Sequence, residues 1–242
     1  MKAMIFAAGR GTRLGDLTDS IPKPLVTVGG VPILGKVIEK LKDAGVVSIM
    51  INLHYLSEQI KEYVLANDSF GINIHYSEEE KLLDTGGGLR EASFFFEDSE
   101  HFLVHNADVY CELDIDSFFK QHIESNHIAS LAIQKRKTDR VLLFDRKLHL
   151  SGWRNRTTQK EGIIRNSEVL EEFGFSGIHA VSKKLFKYLD SYPEEVFSIM
   201  TGYFQAVSEG EVVGGVDIQD AAWFDMGTPA KLAELNSYLR SK

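Results

Sequence analysis

The chain has 242 residues, 43% of them hydrophobic and 26% charged, with a formal net charge of −8. That length supplies core for one large or two small domains, and the acidic balance excludes nucleic acid as the main partner, because such proteins carry a basic footprint. A lone cysteine, Cys111, excludes an internal disulfide, and no stretch approaches the roughly eighteen apolar residues of a membrane span, so a soluble, cytoplasmic protein is expected.

A short apolar run at 4–7 reads as a buried strand. It opens into a loop carrying Gly9, Gly11 and Gly15, with Arg10, Arg13 and Lys23 as local cations. Glycines let backbone N–H groups approach a phosphate closely, and the cations neutralise its oxygens. Two better-known phosphate loops are excluded. No Gly-Lys-Ser/Thr stands before a helix, and Leu14 occupies the place of a dinucleotide fingerprint's third glycine. With prolines at 22 and 24, the stretch 11–24 is expected as a long functional loop.

Beyond the loop, Ile33, Leu34, Val37, Ile38 and Leu41 recur at helical spacing over 32–44, with Pro32 suited to a first turn and Gly45 to the position past the end. A strand follows at 48–53, then a helix face of Leu56, Ile60 and Val64, then a strand at 72–76. Gly86-Gly87-Gly88 reads as opening a helix to about 96, with Phe94-Phe95-Phe96 as core packing. The strand at 101–105 runs into Asn106-Ala107-Asp108, and a helix at 114–126 precedes a strand at 129–134. In the second half, 141–150 reads as a hairpin and the basic stretch 153–165 as a mobile flap. The stretch 172–180 should rejoin the sheet, 182–189 and 194–207 look helical, and Thr228 caps a last helix that starts with Pro229. Repeated strand–helix alternation implies a mostly parallel sheet covered on both faces. With no linker or repeat in view, one domain over 1–242 is expected.

The composite Ala8-Gly9-x-Gly11-Thr12-Arg13-Leu14, then Leu17-Thr18, then Pro22-Lys23-Pro24-Leu25, resembles the signature of the nucleoside-diphosphate-sugar pyrophosphorylases, the sugar-1-phosphate nucleotidylyltransferases. Asp16 stands where that family usually has proline, which alters loop stiffness but removes no phosphate ligand. The resemblance implies an α/β fold with a Rossmann-like, mixed, mostly parallel sheet flanked by helices (the nucleotide-diphospho-sugar transferase, GT-A-like fold). Its nucleotide-binding half would span about 1–110 and its sugar-binding half about 111–242. It also implies a Mg²⁺-dependent reaction whose partners are an NTP and a sugar 1-phosphate, giving NDP-sugar and pyrophosphate.

By the same resemblance, Arg13 and Lys23 are the catalytic cations. Ala8, Gly9, Gly11, Thr12, Arg13 and Asn106 would hold the nucleotide, and Thr85, Gly86 and Gly87 its base. Asp108 and Asp225 match the family's two metal-binding aspartates, with Ala107 in place of the usual preceding glycine. Ser176 and Gly177 resemble its sugar-site strand, while His54 is either a sugar contact or a structural histidine. The family's Glu-Lys-Pro segment is missing, and Arg154, Arg156, Lys160 and Arg165 are the cations nominated in its place. The form Asp84-Thr85-Gly86-Gly87-Gly88 is closest to the Glu-Thr-Gly-Gly-Gly of N-acetylmuramate-1-phosphate uridylyltransferases and favours UTP with that sugar. A guanylyltransferase for a mannose- or heptose-type 1-phosphate, a phosphocholine cytidylyltransferase and a non-catalytic nucleotide-sugar sensor are the alternatives.

Overall fold

In the computed structural model, which describes residues 1–242, strand β1 (Lys2–Phe6) turns Ala3 and Ile5 to one face and Met4 to the other, all fully buried. A strand apolar on both faces needs cover on both, and two hydrophobic layers provide it. After β1 the chain makes two short 3-10 turns, Thr12–Thr18 and Lys23–Leu25, so the expected long loop is wound rather than extended. The small ribbon β2 (Thr27–Val28) and β3 (Val31–Pro32) leads into α1 (Ile33–Asp43). Then come β4 (Ser48–Leu53), α2 (Ser57–Ala66), β5 (Asn73–Glu78), α3 (Asp84–Glu91) and β6 (His101–Asn106). The second half holds β7 (Val109–Cys111), α4 (Ile115–Ser125), β8 (Ala129–Gln134), β9 (Arg140–Phe144), β10 (Leu150–Asn155), β11 (Lys160–Ile163) and β12 (Glu171–Ser182). It closes with α5 (Phe186–Asp190), α6 (Ile199–Ser208), β13 (Val213–Asp217), β14 (Trp223–Asp225) and α7 (Pro229–Arg240).

The main sheet runs β5-β4-β1-β6-β12-β8-β13. Its β5–β4, β4–β1, β1–β6 and β8–β13 ladders are parallel, and β12 lies antiparallel between β6 and β8. Helices α1, α2, α4 and α7 pack on one face and α3, α5 and α6 on the other. The mixed, mostly parallel α/β sheet read from the sequence is therefore the architecture observed. No helix is long and apolar enough to cross a membrane.

Three expectations need correction. The basic stretch 153–165 is no free flap: β10 and β11 pair with β9, and the start of β12 joins them. Arg154 is bonded to Glu161 and Glu172, and Arg156 to Glu172, so acids across the ladder match the basic residues that made the segment look like loop. The hairpin turn falls at residues 145–149, where Asp145 accepts from the N–H groups of Lys147 and His149. Of Phe94-Phe95-Phe96, the last two are buried but Phe94 is 61% exposed. Finally, helix α6 begins only at Ile199, where Ser198 caps it, because Phe197 is bonded to Leu83, Gly86 and Gly87 instead.

Candidate functional site

The parallel strands end along one edge, where ligands of open α/β sheets bind. A cleft of about 550 Å³ opens there, past the ends of β1 and β6. Ala8, Gly9, Gly11, Thr12, Arg13, Lys23, Thr85, Asn106 and Asp108, all nominated from sequence, line it. A larger hollow of about 780 Å³, between α1 and the β7–α4 segment, gathers none of these phosphate-loop residues and mixes Lys36 and Lys40 with Glu112 and Asp114.

Gly11 has φ +71°, and a Cβ there would lie 2.8 Å from Cβ of Lys23. Glycine is therefore needed both for the left-handed backbone and for the close pass of the lysine. The Thr18 hydroxyl and the Leu14 N–H both donate to the Gly11 carbonyl, at 3.1 and 2.9 Å, and close the loop around it. Lys23 is only 9% exposed, stands between Pro22 and Pro24, and its Nζ pairs with Oδ2 of Asp108. The prolines fix φ on either side of the backbone, while burial of the stem and the pairing with Asp108 hold the ammonium in place.

Asp108 and Asp225 come from segments more than a hundred residues apart, yet the short ribbon β7–β14 sets Asp225 opposite Val109. The Met226 N–H donates to the Asp108 carbonyl at 2.9 Å. Oδ1 of Asp225 accepts from the Gly227 N–H at 2.8 Å, and Oδ2 pairs with Lys231. Burial alone would raise the Asp225 carboxyl. The hydrogen bonds from Lys231 and Gly227, with the Arg136 charge, outweigh it and hold the group below the usual carboxylate range. Arg13 closes the wall, its guanidinium 3.4–3.5 Å from where a Gly227 Cβ would be.

The other nominated residues divide. The N–H groups of Gly86 and Gly87 both donate to the Phe197 carbonyl, at 2.8 and 3.2 Å, so these donors are already used and the glycines lie behind the cleft wall. A Cβ at Gly87 would come within 2.3 Å of the Glu195 carbonyl, so the glycines serve close packing. Neither N–H group of Gly86 and Gly87 is therefore free to bond a base. Thr85 stays at the cleft, its hydroxyl accepting from the Ile199 N–H at 3.0 Å. Gly177 (φ +76°) lies against Asn106 at a bulge in β12, and Ser176 is fully buried with no partner for its Oγ. His54 turns Nδ1 to the Glu79 backbone carbonyl at 2.8 Å, which ties its ring to the segment after β5. Arg165 pairs with Asp145 in the outer hairpin, and neither it nor Arg154, Arg156 or Lys160 reaches the cleft.

Sequence reasoning missed several cleft residues. Asn52 and Glu79 sit at the ends of β4 and β5, beside the end of β1, and exposed Leu82 and Val196 form an apolar rim. Asp84, also lining, holds φ +58°, a conformation that aspartate adopts more readily than most residues. The signal for Asn52 and Glu79 was their place at strand carboxyl ends, the same rule that located Asp108.

Residues 2–141 match the family model described as Nucleotidyl transferase. The N-acetylmuramate alpha-1-phosphate uridylyltransferase of Neisseria meningitidis is 42% identical over 121 residues, 50% of this chain and 52% of that protein. The mannose-1-phosphate guanyltransferase beta-A of Xenopus laevis is 31% identical over 247 residues, 100% of this chain and 65% of that protein. The chain thus spans about half to two thirds of the length of these curated relatives. Among solved structures, HddC of Yersinia pseudotuberculosis in complex with GMP-PN superposes with a TM-score of 0.74 at 25% identity, over 98% of both chains.

Proposed function

The chain belongs to the nucleotidyl transferase family, and from that premise we propose that it transfers a nucleotidyl group from an NTP to a sugar 1-phosphate, releasing pyrophosphate. The observation that carries this reading is the Lys23–Asp108 pair, held at the strand edge with the glycine loop and Arg13 around one cleft. A sugar-phosphate oxygen is already an anion, so the reaction needs no general base and no Ser-His-Asp set. The barrier lies in bringing two polyanions into line and stabilising charge at the α-phosphate and leaving group. Arg13, at the cleft wall, neutralises the pyrophosphate. Lys23, with little conformational freedom, holds its charge against the reacting phosphate oxygens. Loop N–H groups orient the phosphates.

Mg²⁺ fits the donor set. Asp108, in the turn between β6 and β7, lines the cleft, and Asp225, at the end of β14, lies opposite Val109 next to it; two carboxylates of this kind are hard oxygen ligands and leave positions for water and phosphate oxygens. Bound between them, the ion would offset phosphate charge.

For substrates, we favour UTP with N-acetylmuramate 1-phosphate, supported by the 42% identity over half the chain and by Thr85-Gly86-Gly87-Gly88. A guanylyltransferase for a mannose- or heptose-type 1-phosphate is the second reading, supported by the relative that matches the whole chain. Pyrophosphate release across the NTPs and a panel of sugar 1-phosphates, with and without EDTA, tests both. One productive pair abolished by EDTA is the expected result. Nucleotide binding without release from any pair sinks the reaction and leaves a sensor.

A further inference from the structure

Only three buried side-chain polar atoms in the protein lack a partner, and two of them, Arg136 Nε and Ser176 Oγ, share one corner of the sugar-side half. Strand β8 runs parallel to β6, since both are antiparallel to β12, so Arg136, two residues past its end, leaves at the same edge as Asp108. Its stem lies over Gly174, where a Cβ would come within 2.8–2.9 Å of it. Its guanidinium stacks on Trp223 at 4.1 Å and spends Nη2 on the Phe175 carbonyl at 2.6 Å. Trp223 donates Nε1 to the Ser176 carbonyl at 2.8 Å, which ties the strand carrying the free hydroxyl to the same ring. Residues two apart on a strand share a face, so the stacked guanidinium lies on the face of β14 that also carries Asp225.

A guanidinium has five donors in a planar fork suited to phosphate or carboxylate, and here most of that fork is unused. An orphaned buried donor is costly to the fold, and a ligand oxyanion is one partner that would meet it. The deep-lying hydroxyl of Ser176 adds a further donor. No carboxylate of the protein accepts from Arg136, although Asp225 is close enough for each to feel the other's charge.

We propose that Arg136, assisted by Ser176, is a binding residue for an oxyanion carried by the acceptor substrate. The proposal rests on the nucleotidyl-transfer reading for what the acceptor is, and the cations named from sequence in the outer hairpin play no part in it. The oxyanion is either the 1-phosphate itself or a carboxylate on the sugar, and two probes separate these. Glucose 1-phosphate carries only the first, and glucuronate only the second.

Equilibrium binding of each probe, and of UTP, is measured calorimetrically on the full chain as wild type, Arg136→Met, Arg136→Lys and Ser176→Ala. Methionine keeps the apolar stem over Gly174 and Trp223 while removing the fork. The expected result is a loss of about 30-fold or more in affinity for one probe in Arg136→Met, partial rescue in Arg136→Lys, a smaller loss in Ser176→Ala, and less than about a 3-fold change for UTP. The probe that suffers names the oxyanion. Unchanged probe binding in Arg136→Met, no probe binding by wild type, or an equal loss for UTP overturns the proposal. Should Arg136→Met fail to fold, Arg136→Lys and Ser176→Ala decide on the same criterion. A wild type that binds a probe through Arg136 yet releases no pyrophosphate sinks the reaction and leaves the subsite standing; release without any dependence of binding on Arg136 does the reverse.

Discussion

Asn52 donates Nδ2 to Oε1 of Glu79 at 2.7 Å, while its Oδ1 accepts the Ala7 N–H at 2.8 Å. The second carboxylate oxygen of Glu79 accepts the Leu83 N–H at 2.9 Å. Through these two side chains the end of β1, where the phosphate loop starts, is tied to the segment entering α3. The same pair explains Gly88, since a Cβ there would sit 2.6 Å from Oε1 of Glu79 and 2.9 Å from Nδ2 of Asn52. Glu79→Gln keeps the shape but turns an amide group toward one of two donors. A loss of about 1–3 kcal/mol in denaturant unfolding is expected, with weaker nucleotide binding. Unchanged stability would show the network to be incidental.

The Lys23–Asp108 pair leads to a second prediction. Asp108→Asn, or Arg13→Ala across the cleft, should lower pyrophosphate release by at least about 100-fold, the scale of losing one preorganised charge-stabilising group. Folding of each variant is checked by its thermal transition. Near wild-type turnover in either would remove that residue from the proposed chemistry.

Gly11 and Gly15 offer a paired test of why the loop holds glycine. Both have positive φ, +71° and +60°, but a Cβ at Gly15 meets nothing within 4 Å whereas one at Gly11 strikes Lys23. At Gly15 ψ is −141°, a backbone region that is essentially glycine's alone, so Gly15→Ala should cost about 1–3 kcal/mol for conformation alone. Gly11, at ψ 21°, is in the milder left-handed region, but Gly11→Ala should displace Lys23, so only this variant is expected to lose turnover beyond its loss of stability. Equal effects from the two would contradict the close pass.

Stability should fall on mild acidification. Burial pushes His105 down to about 4, and it pushes His122 and His179 down to about 3. His179 shares a 2.7 Å hydrogen bond with Tyr203, and His122 lies between His101 and Ser130. Each is neutral in the fold but takes a proton in the unfolded chain below about 6.5. The unfolded state therefore binds more protons, and stability present above about pH 6.5 is lost as pH falls toward 4, by about 1.4 kcal/mol per pH unit per fully titrating histidine. Urea unfolding between pH 7 and pH 5 measures the slope. His122→Gln should flatten it by roughly one proton's worth, and an unchanged slope would show that His122 titrates normally.

Arg154 and Arg156 should matter little. Their pairs with Glu161 and Glu172 lie on the outer hairpin, partly exposed and screened by solvent, so Arg154→Ala or Arg156→Ala should leave the thermal transition nearly unchanged. Acceptor KM should stay within about 3-fold of wild type. A large rise in acceptor KM would restore this segment to the sugar site.

Local patterning was enough for the strand–helix order of the first half, the phosphate loop and Asp108. Each rests on short-range physics: helical or strand periodicity, glycine freedom beside a strand end, and the rule that ligands gather where parallel strands stop. The ribbon that brings Asp225 beside Asp108, the Asn52–Glu79 tie, the burial of Gly86 and Gly87 under the 195–197 segment and the placing of Arg136 over Trp223 came only with the tertiary structure. All four depend on register and packing between segments far apart in the chain, which no local periodicity encodes. The stretch 153–165 failed for the same reason: its basic residues look like solvent-facing loop until β12 supplies Glu172 opposite Arg154 and Arg156.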